Sequence, residues 1–190
     1  QWGRDVFTIG PGGVHVAEGD ELIETLLGSC VAACMRDPVR GIGGMNHVML
    51  PLEQSGGGGR LAATAYGSYA MEVLVNGILH AGGRRESLEV KLFGGGRMFR
   101  SRHAAGAPAA LDVGTRNVEA ARMLLRTHGF RVRAAHVEGE GHRNLIFDIG
   151  SGEVWLRHVA PAAASAAVIH TEVPSQAHPG VHPESASEAA

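Results

Sequence analysis

Two stretches of the chain place apolar residues at helical spacing. In residues 63–83 apolar side chains recur every three or four positions, and Gly82 and Gly83 follow as a usual helix stop. Residues 115–130 repeat this pattern and end at Gly129. The spacing therefore predicts two amphipathic helices.

Shorter stretches have the patterns that β-strands show. Residues 87–96 alternate apolar and polar positions, and residues 130–139, 143–152 and 153–159 are further strand candidates. The Gly150-Ser151-Gly152 break between the last two favours a hairpin. Helices mixed with hairpins and separated strands indicate an α/β (α+β) fold, a mixed β-sheet sandwich with flanking helices.

Both cysteines lie in one further predicted strand, residues 30–36, which lies between two turn signals. In a strand that rises about 3.3 Å per residue, Cys30 and Cys34 share a face but lie roughly 13 Å apart. A disulfide requires Cα atoms closer than about 7 Å. We therefore expect no disulfide, a Cys30 at the accessible end of the strand and a buried Cys34.

The next predicted strand contains a histidine that a hairpin could bring to the first cysteine. If residues 37–40 form a four-residue loop, Arg36 opposes Gly41 and Cys30 opposes His47, close enough for thiol and imidazole to interact. A slip of one residue would send His47 to the other face, so the spacing permits the pair without requiring it. An imidazole can take the proton of a thiol and make it a nucleophile. The N–H groups of the Gly28-Ser29-Cys30 turn could then hold an oxyanion.

Composition narrows the classes of function. A length of 190 residues suits one domain, and a net charge of −2 gives no basic field for nucleic acid. No run approaches eighteen apolar residues, so no membrane span is expected, and two cysteines suit a reducing cytoplasm. From Pro161 onward the chain is rich in Ala, Ser, Pro and His. We expect a domain over 1–160 and a flexible tail over 161–190.

Several ordered motifs resemble the CheD family of chemoreceptor glutamine deamidases. They include "LGSCVAACMRDP", "GGMNHVMLP", "VKLFGGGRMF", "GTRNVEAARMLL" and "FDIGSGEVWLRHV", and the resemblance extends over about residues 6–159. It implies a sandwich similar to that of toxin-type cysteine deamidases, and a cytoplasmic enzyme that converts glutamines of methyl-accepting chemoreceptors to glutamates. It implies no metal and no organic cofactor, and it raises a CheC-type phosphatase as a second partner.

The resemblance also implies roles for particular residues. The family's nucleophile corresponds to Cys30 and its histidine to His47. The family's threonine stands six residues ahead of the cysteine; here Glu24 occupies that position and Thr25 follows it, so Thr25 is the candidate. Gly94 and Gly95 match a strand-end loop that is expected to line the substrate groove.

Two other classes of function stay open. A CheD-like binding module could regulate a CheC-type phosphatase without catalysis, although the presence of both Cys30 and His47 argues against it. A redox switch that uses Cys30 and Cys34 is disfavoured by their spacing.

Overall fold

The computed structural model describes residues 3–49, 59–98, 113–160 and 167–171, with side chains omitted for 59–66 and 167–171. The helices are α1 (Gly59–His80) and α2 (Val113–Thr127), and a 3-10 turn covers Arg85–Ser87. The strands are β1 (Val6–Thr8), β2 (Val14–Glu18), β3 (Leu22–Leu27), β4 (Val31–Asp37), β5 (Ile42–Asn46), β6 (Glu89–Gly94), β7 (Val132–Val137), β8 (His142–Asp148), β9 (Val154–Val159) and β10 (Ala167–Thr171).

The strands form two five-stranded sheets. The outer sheet has the order β1-β3-β8-β9-β10, and the central sheet has the order β2-β5-β4-β6-β7. Both sheets are mixed, because β1 runs parallel to β3 and β6 runs parallel to β7 while the other pairs are antiparallel.

The central sheet is covered on both faces, which gives the molecule three layers. One face packs on α1 and α2, with Met35, Leu74 and Leu125 in the shared core. The other face packs on the outer sheet, with Phe93 and Phe147 between the sheets. Strand β4 is buried on both sides, which explains its nearly continuous apolar run. The predicted sandwich with flanking helices is confirmed.

Most predicted elements are present. Both helices, strand β6 and the β8–β9 hairpin lie where the pattern places them, within a few residues. The first three strands were not predicted, and β3 among them carries a residue of the candidate site. Within the expected tail, residues 167–171 form β10, which pairs with β9 and forms one edge of the outer sheet. Residues 161–166 and 172–190 lie outside the described residues, so the domain boundary stays a prediction.

Strands β4 and β5 form the predicted hairpin, but the predicted register is wrong by two residues. Arg36 pairs with Gly43, and the loop comprises residues 38–41. The buried carboxylate of Asp37 accepts N–H groups from Val39, Arg40 and Arg84, and this anchors Asp37 at the strand end. Gly41, at φ 65°, supplies the left-handed conformation that closes the loop. A shift of two residues keeps every side chain on its predicted face.

Candidate functional site

The two cysteines differ in exposure, and both are free thiols. Cys30 lies just before β4 at the end of the inter-sheet core and is half-buried, whereas Cys34 lies within β4 and is 1% exposed. The prediction of no disulfide and a buried Cys34 is confirmed.

His47 lies just after β5, on the same face of the central sheet as Cys30. Its main chain is fixed by β2's preceding turn, because His47 N donates to Gly13 O at 2.8 Å and Gly12 N donates to His47 O at 2.8 Å. The bridge between Val31 and Val48 continues the register of the hairpin, so Ala32, not Cys30, stands opposite His47. Cys30 is the diagonal neighbour, at roughly 7 Å, a distance that a long side chain can bridge.

Thr25 reaches His47 from the outer sheet. In β3 the residues alternate, so Thr25 is buried between the sheets while its neighbour Glu24 accepts a hydrogen bond from exposed Thr8 on the other face. Thr25 Oγ1 and His47 Nδ1 are 2.8 Å apart. The structure thus brings together Thr25 and His47, and it places Glu24 away from both.

The hydrogen bonds of Thr25 fix the tautomer of the imidazole. The hydroxyl of Thr25 has one proton, and Oγ1 donates it to Ile9 O at 2.8 Å. Towards His47 the hydroxyl therefore acts as acceptor, so Nδ1 carries the ring proton and Nε2 keeps its lone pair. Nε2 is buried and has no hydrogen-bond partner among the described residues. In this tautomer Nε2 of the neutral imidazole can accept a proton.

Burial favours the uncharged forms of both His47 and Cys30. Burial lowers the pKa of His47, and the Ile9 carbonyl opposes that shift only in part. Burial also raises the pKa of the Cys30 thiol, against a smaller opposite effect of the Cys30 N–H group. The arrangement therefore suits proton transfer during attack and not a preformed thiolate–imidazolium pair.

A glycine loop after β6 holds the turn that carries Cys30. Gly95 N donates to Cys30 O at 2.7 Å, and Gly96 N donates to Gly28 O at 2.8 Å. A Cβ on Gly94, at φ 110°, would lie 2.2 Å from Cys30 O, so only glycine permits this approach. The amides of Gly95 and Gly96 are thus occupied. A direct contact of Gly94 or Gly95 with a substrate stays a prediction.

The other side of the Cys30 turn is held by residues that the sequence pattern did not single out. Asn117 of α2 donates from Nδ2 to Ser29 O at 2.7 Å, and the side chain of Met98 packs on Gly28. Asn117 is 2% exposed although amide side chains are usually solvated, and a polar residue among the apolar positions of α2 was the available signal. An oxyanion role for the N–H groups of Gly28 and Ser29 stays a prediction.

Asn46, which precedes His47, faces the opposite side of the sheet, as the alternation of a strand predicts. Its Oδ1 accepts the N–H of Ala33 at 2.9 Å, and its Nδ2 donates to Ala70 O of α1 at 3.4 Å. Asn46 therefore links strand β4 to the helix layer.

Within the described residues no group of three His, Cys, Asp or Glu residues is arranged to hold a metal ion. Of the helices in the same ranges, none has the length and apolar character to cross a bilayer.

Fold and site together define an α/β sandwich with a free thiol beside a threonine-bound histidine. A sequence profile described as CheD chemotactic sensory transduction matches residues 49–158. A protein of Hahella chejuensis is 42% identical over 161 residues, which cover 83% of this chain and 72% of that protein. Proteins of Hydrogenovibrio crunogenus (42% over 159 residues; 83% and 79%) and Herminiimonas arsenicoxydans (43% over 155 residues; 81% and 73%) are similar. All three are named probable chemoreceptor glutamine deamidase CheD.

The chain therefore belongs to the CheD family. The profile match begins at residue 49, after Thr25, Cys30 and His47. The roles of these three residues accordingly rest on their geometry and on the motif resemblance.

Proposed function

We propose that this chain is a chemoreceptor glutamine deamidase, which hydrolyses the side-chain amide of particular glutamines to glutamate and ammonia. The similar proteins carry this activity in their names. The observation that carries the proposal to particular atoms is the 2.8 Å contact of Thr25 Oγ1 with His47 Nδ1. That contact leaves Nε2 as an unprotonated base on the face that Cys30 shares.

The first half of the reaction forms a thioester. His47 Nε2 takes the thiol proton as Cys30 Sγ attacks the amide carbon, and a tetrahedral oxyanion forms. The imidazolium then gives its proton to the amide nitrogen, the carbon–nitrogen bond breaks, and ammonia leaves. The N–H groups of the Gly28-Ser29-Cys30 turn are the proposed donors to the oxyanion.

The second half restores the enzyme. His47 Nε2 takes a proton from water, the resulting hydroxide attacks the thioester carbon, and the carbon–sulfur bond breaks. The thiolate of Cys30 recovers its proton, and the glutamate side chain is released. Each step uses only the thiol, the imidazole, water and the amide.

Thr25 holds the imidazole for both halves. Its hydroxyl accepts Nδ1–H while it donates its own proton to Ile9 O, so the ring cannot turn over without losing its hydrogen bond to Thr25. The charge that develops on the ring in the transition state is stabilised by these oxygen acceptors, as in other triads.

The proposed substrates are the cytoplasmic domains of methyl-accepting chemoreceptors, which places the enzyme in the cytoplasm. A CheC-type phosphatase is the proposed second partner. The chain's net charge of −2 offers no strong field towards either partner, so we propose that recognition depends on local contacts around the half-buried thiol.

Mass spectrometry of a chemoreceptor cytoplasmic fragment tests the proposal. Incubation with the wild-type chain should give the mass change of amide-to-acid conversion at defined glutamines, and the Cys30→Ala variant should give none. The Cys34→Ala variant, which loses the chain's other cysteine sulfur, is the matched control and should retain the conversion.

Two results would contradict the proposal. Conversion that persists in Cys30→Ala would remove the nucleophile, and an absence of conversion by the wild-type chain with several receptor fragments would remove the activity. If no conversion is seen, and the wild-type chain and the Cys30→Ala variant change the rate of a CheC-type phosphatase equally, the binding module is the correct class.

A further inference from the structure

The largest fully buried side chain among the described residues is a cation, Arg143. It is 1% exposed and occupies an inward-facing position of β8, in line with Leu145 and Phe147 of the inter-sheet core. Burial alone lowers the pKa of Arg143, and no carboxylate of the described residues offsets it. A buried guanidinium without an acidic partner costs stability, so its presence calls for another explanation.

The guanidinium lies at the Cys30 end of the sandwich. Arg143 pairs with Leu27, the last residue of β3, and the chain then turns through Gly28 and Ser29 to Cys30. A Cβ built on Gly96 would lie 3.0 Å from Arg143 Nη1 and 3.2 Å from Gly28 O. The guanidinium and the turn before the thiol thus flank the same glycine.

None of the three nitrogens of Arg143 contacts a carboxylate of the described residues. Nε donates to His136 Nδ1 at 2.9 Å, and Nη2 donates to the carbonyl oxygen of Glu138. Nη1 is buried against Gly96 and has no partner within the described part of the chain. The fork therefore fixes the 138–141 loop, in which Glu138 itself has a positive φ of 64°.

A continuous series of main-chain hydrogen bonds runs from that loop to Cys30. Glu138 N donates to Gly94 O at 2.8 Å, and Arg97 N donates to Gly139 O at 2.8 Å. The 94–97 loop in turn donates to the Cys30 turn, through Gly95 N on Cys30 O at 2.7 Å and Gly96 N on Gly28 O at 2.8 Å. These bonds therefore connect the position of the 138–141 loop to the position of the Cys30 main chain.

We propose that Arg143 is a positioning residue for Cys30: its guanidinium braces the 138–141 and 94–97 loops and so sets the place and burial of the thiol. The proposal rests on the proposed function, because it assumes that the place of Cys30 matters for a reaction. It explains why a buried cation persists at this end of the core without a counter-charge.

The variant Arg143→Met separates positioning from stability. Replacement of a buried charge by an apolar side chain of similar volume is often neutral or stabilising, so the melting temperature should be unchanged or higher. With the brace removed, kcat should fall about 10- to 100-fold at little-changed KM, because small misplacements of a reacting group cost about that much. The thiol should also become more accessible, so alkylation of Cys30 by iodoacetamide should be several-fold faster at fixed pH.

Lys91→Met is the matched control. Lys91 is the other buried lysine or arginine of the described residues, its Nζ donates to Gly152 O at 2.8 Å, and it pairs with Cys34 and not with the Cys30 turn. Its replacement should leave kcat and the alkylation rate of Cys30 unchanged. Arg143→Lys provides a second test, since it keeps the charge but replaces the planar fork of separate nitrogens that bond His136 and Glu138 by a single nitrogen; it should lose part of kcat.

The outcomes divide cleanly. Lower kcat and faster alkylation with an intact melting temperature support the proposal. Wild-type kcat and alkylation in Arg143→Met or Arg143→Lys, or an activity loss that only follows the unfolded fraction, overturn it. If no receptor fragment is deamidated by the wild-type chain, the proposed function fails, but alkylation still decides whether Arg143 controls the thiol.

Discussion

The start and the middle of strand β4 hold the same chemical group in different surroundings. At one end Cys30 is half-buried and flanked by glycine loops, with a threonine-bound histidine on the neighbouring strand. Towards the middle, Cys34 is 1% exposed and packed between Met45 and Lys91 of the adjoining strands. The comparison shows that the residue type alone does not determine the reactivity of a thiol. Its solvent access and a nearby base that can take its proton determine that reactivity.

Burial acts on both thiols but with different consequences. It raises the pKa of Cys34 far above the usual thiol range, with the nearby charge of Lys91 opposing only in part. It raises the pKa of Cys30 as well, from a half-buried position. Cys34 therefore stays a neutral core residue, whereas the proposed mechanism has His47 take the proton of Cys30 at the moment of attack.

The largest expected contrast comes from removing each sulfur. Cys30→Ala should reduce deamidation to background with little change in stability, because the only group able to form the thioester is lost. Cys34→Ala should keep most activity at moderate temperature but lose about 1 kcal/mol of the free energy of unfolding, as small core deletions do. Ammonia release on a receptor fragment and thermal melts measure the two effects. The reverse pattern would show that the roles of Cys30 and Cys34 have been assigned the wrong way round.

Removing the base should nearly match removing the nucleophile. His47→Ala leaves a protonated thiol without an acceptor for its proton, and loss of general base catalysis costs about 100- to 10,000-fold. Cys34 is 1% exposed within β4, so His47→Ala should not alter its reactivity towards thiol reagents. A receptor-deamidation rate within a factor of two of the wild type would exclude His47 from the proton transfer.

A smaller effect is expected from the hydroxyl that orients the base. Thr25→Val keeps the shape of the side chain but leaves Nδ1–H of His47 without its acceptor. An unpaired buried polar group costs about 1–3 kcal/mol, or roughly 5- to 150-fold in rate if the cost falls on the transition state. Thr25→Ser restores the hydroxyl and should recover most of kcat. Equal rates for the Val and Ser variants would show that the 2.8 Å contact has no part in catalysis.

The smallest expected effects are on two pH dependences, that of kcat/KM through His47 and that of alkylation at Cys30. Because burial lowers the pKa of His47, its imidazole stays neutral as the pH falls below the ordinary imidazole pKa of about 6.5. The acid limb of kcat/KM should therefore lie below that value. Because burial raises the pKa of Cys30, its alkylation should increase only above the ordinary thiol range. A thiol that titrates well below that range would indicate a preformed ion pair.

The periodicity of the sequence was enough to predict much of the fold. Helical spacing and glycine stops gave α1 and α2, and turn signals gave the β4–β5 and β8–β9 hairpins. The register of β4–β5 was not predictable, because it depends on the buried carboxylate of Asp37 and on a left-handed Gly41. A register shift of two residues is invisible to a pattern of period two.

The candidate site was predictable in its residues but not in its construction. Cys30, His47 and Thr25 follow from the motif resemblance. The physical reason to prefer Thr25 to Glu24 comes from the structure, in which β3 places Thr25 between the sheets and in contact with His47. Arg143 had a signal in the sequence, since it shares the parity of Leu145 and Phe147 in β8. An arginine is normally read as solvent-facing, so only the packed structure reveals it as buried.

Capture of the acylated thiol tests the central claim most directly. A receptor fragment is mixed with the wild-type chain, the reaction is quenched in acid within the turnover time, and the peptides that contain Cys30 and Cys34 are separated and analysed by mass spectrometry. Because Cys30 and Cys34 are four residues apart, fragmentation of the peptide assigns the adduct to one sulfur. The account predicts a receptor-derived thioester on Cys30 and none on Cys34. An adduct on Cys34, or receptor conversion by a Cys30→Ala variant, would contradict it.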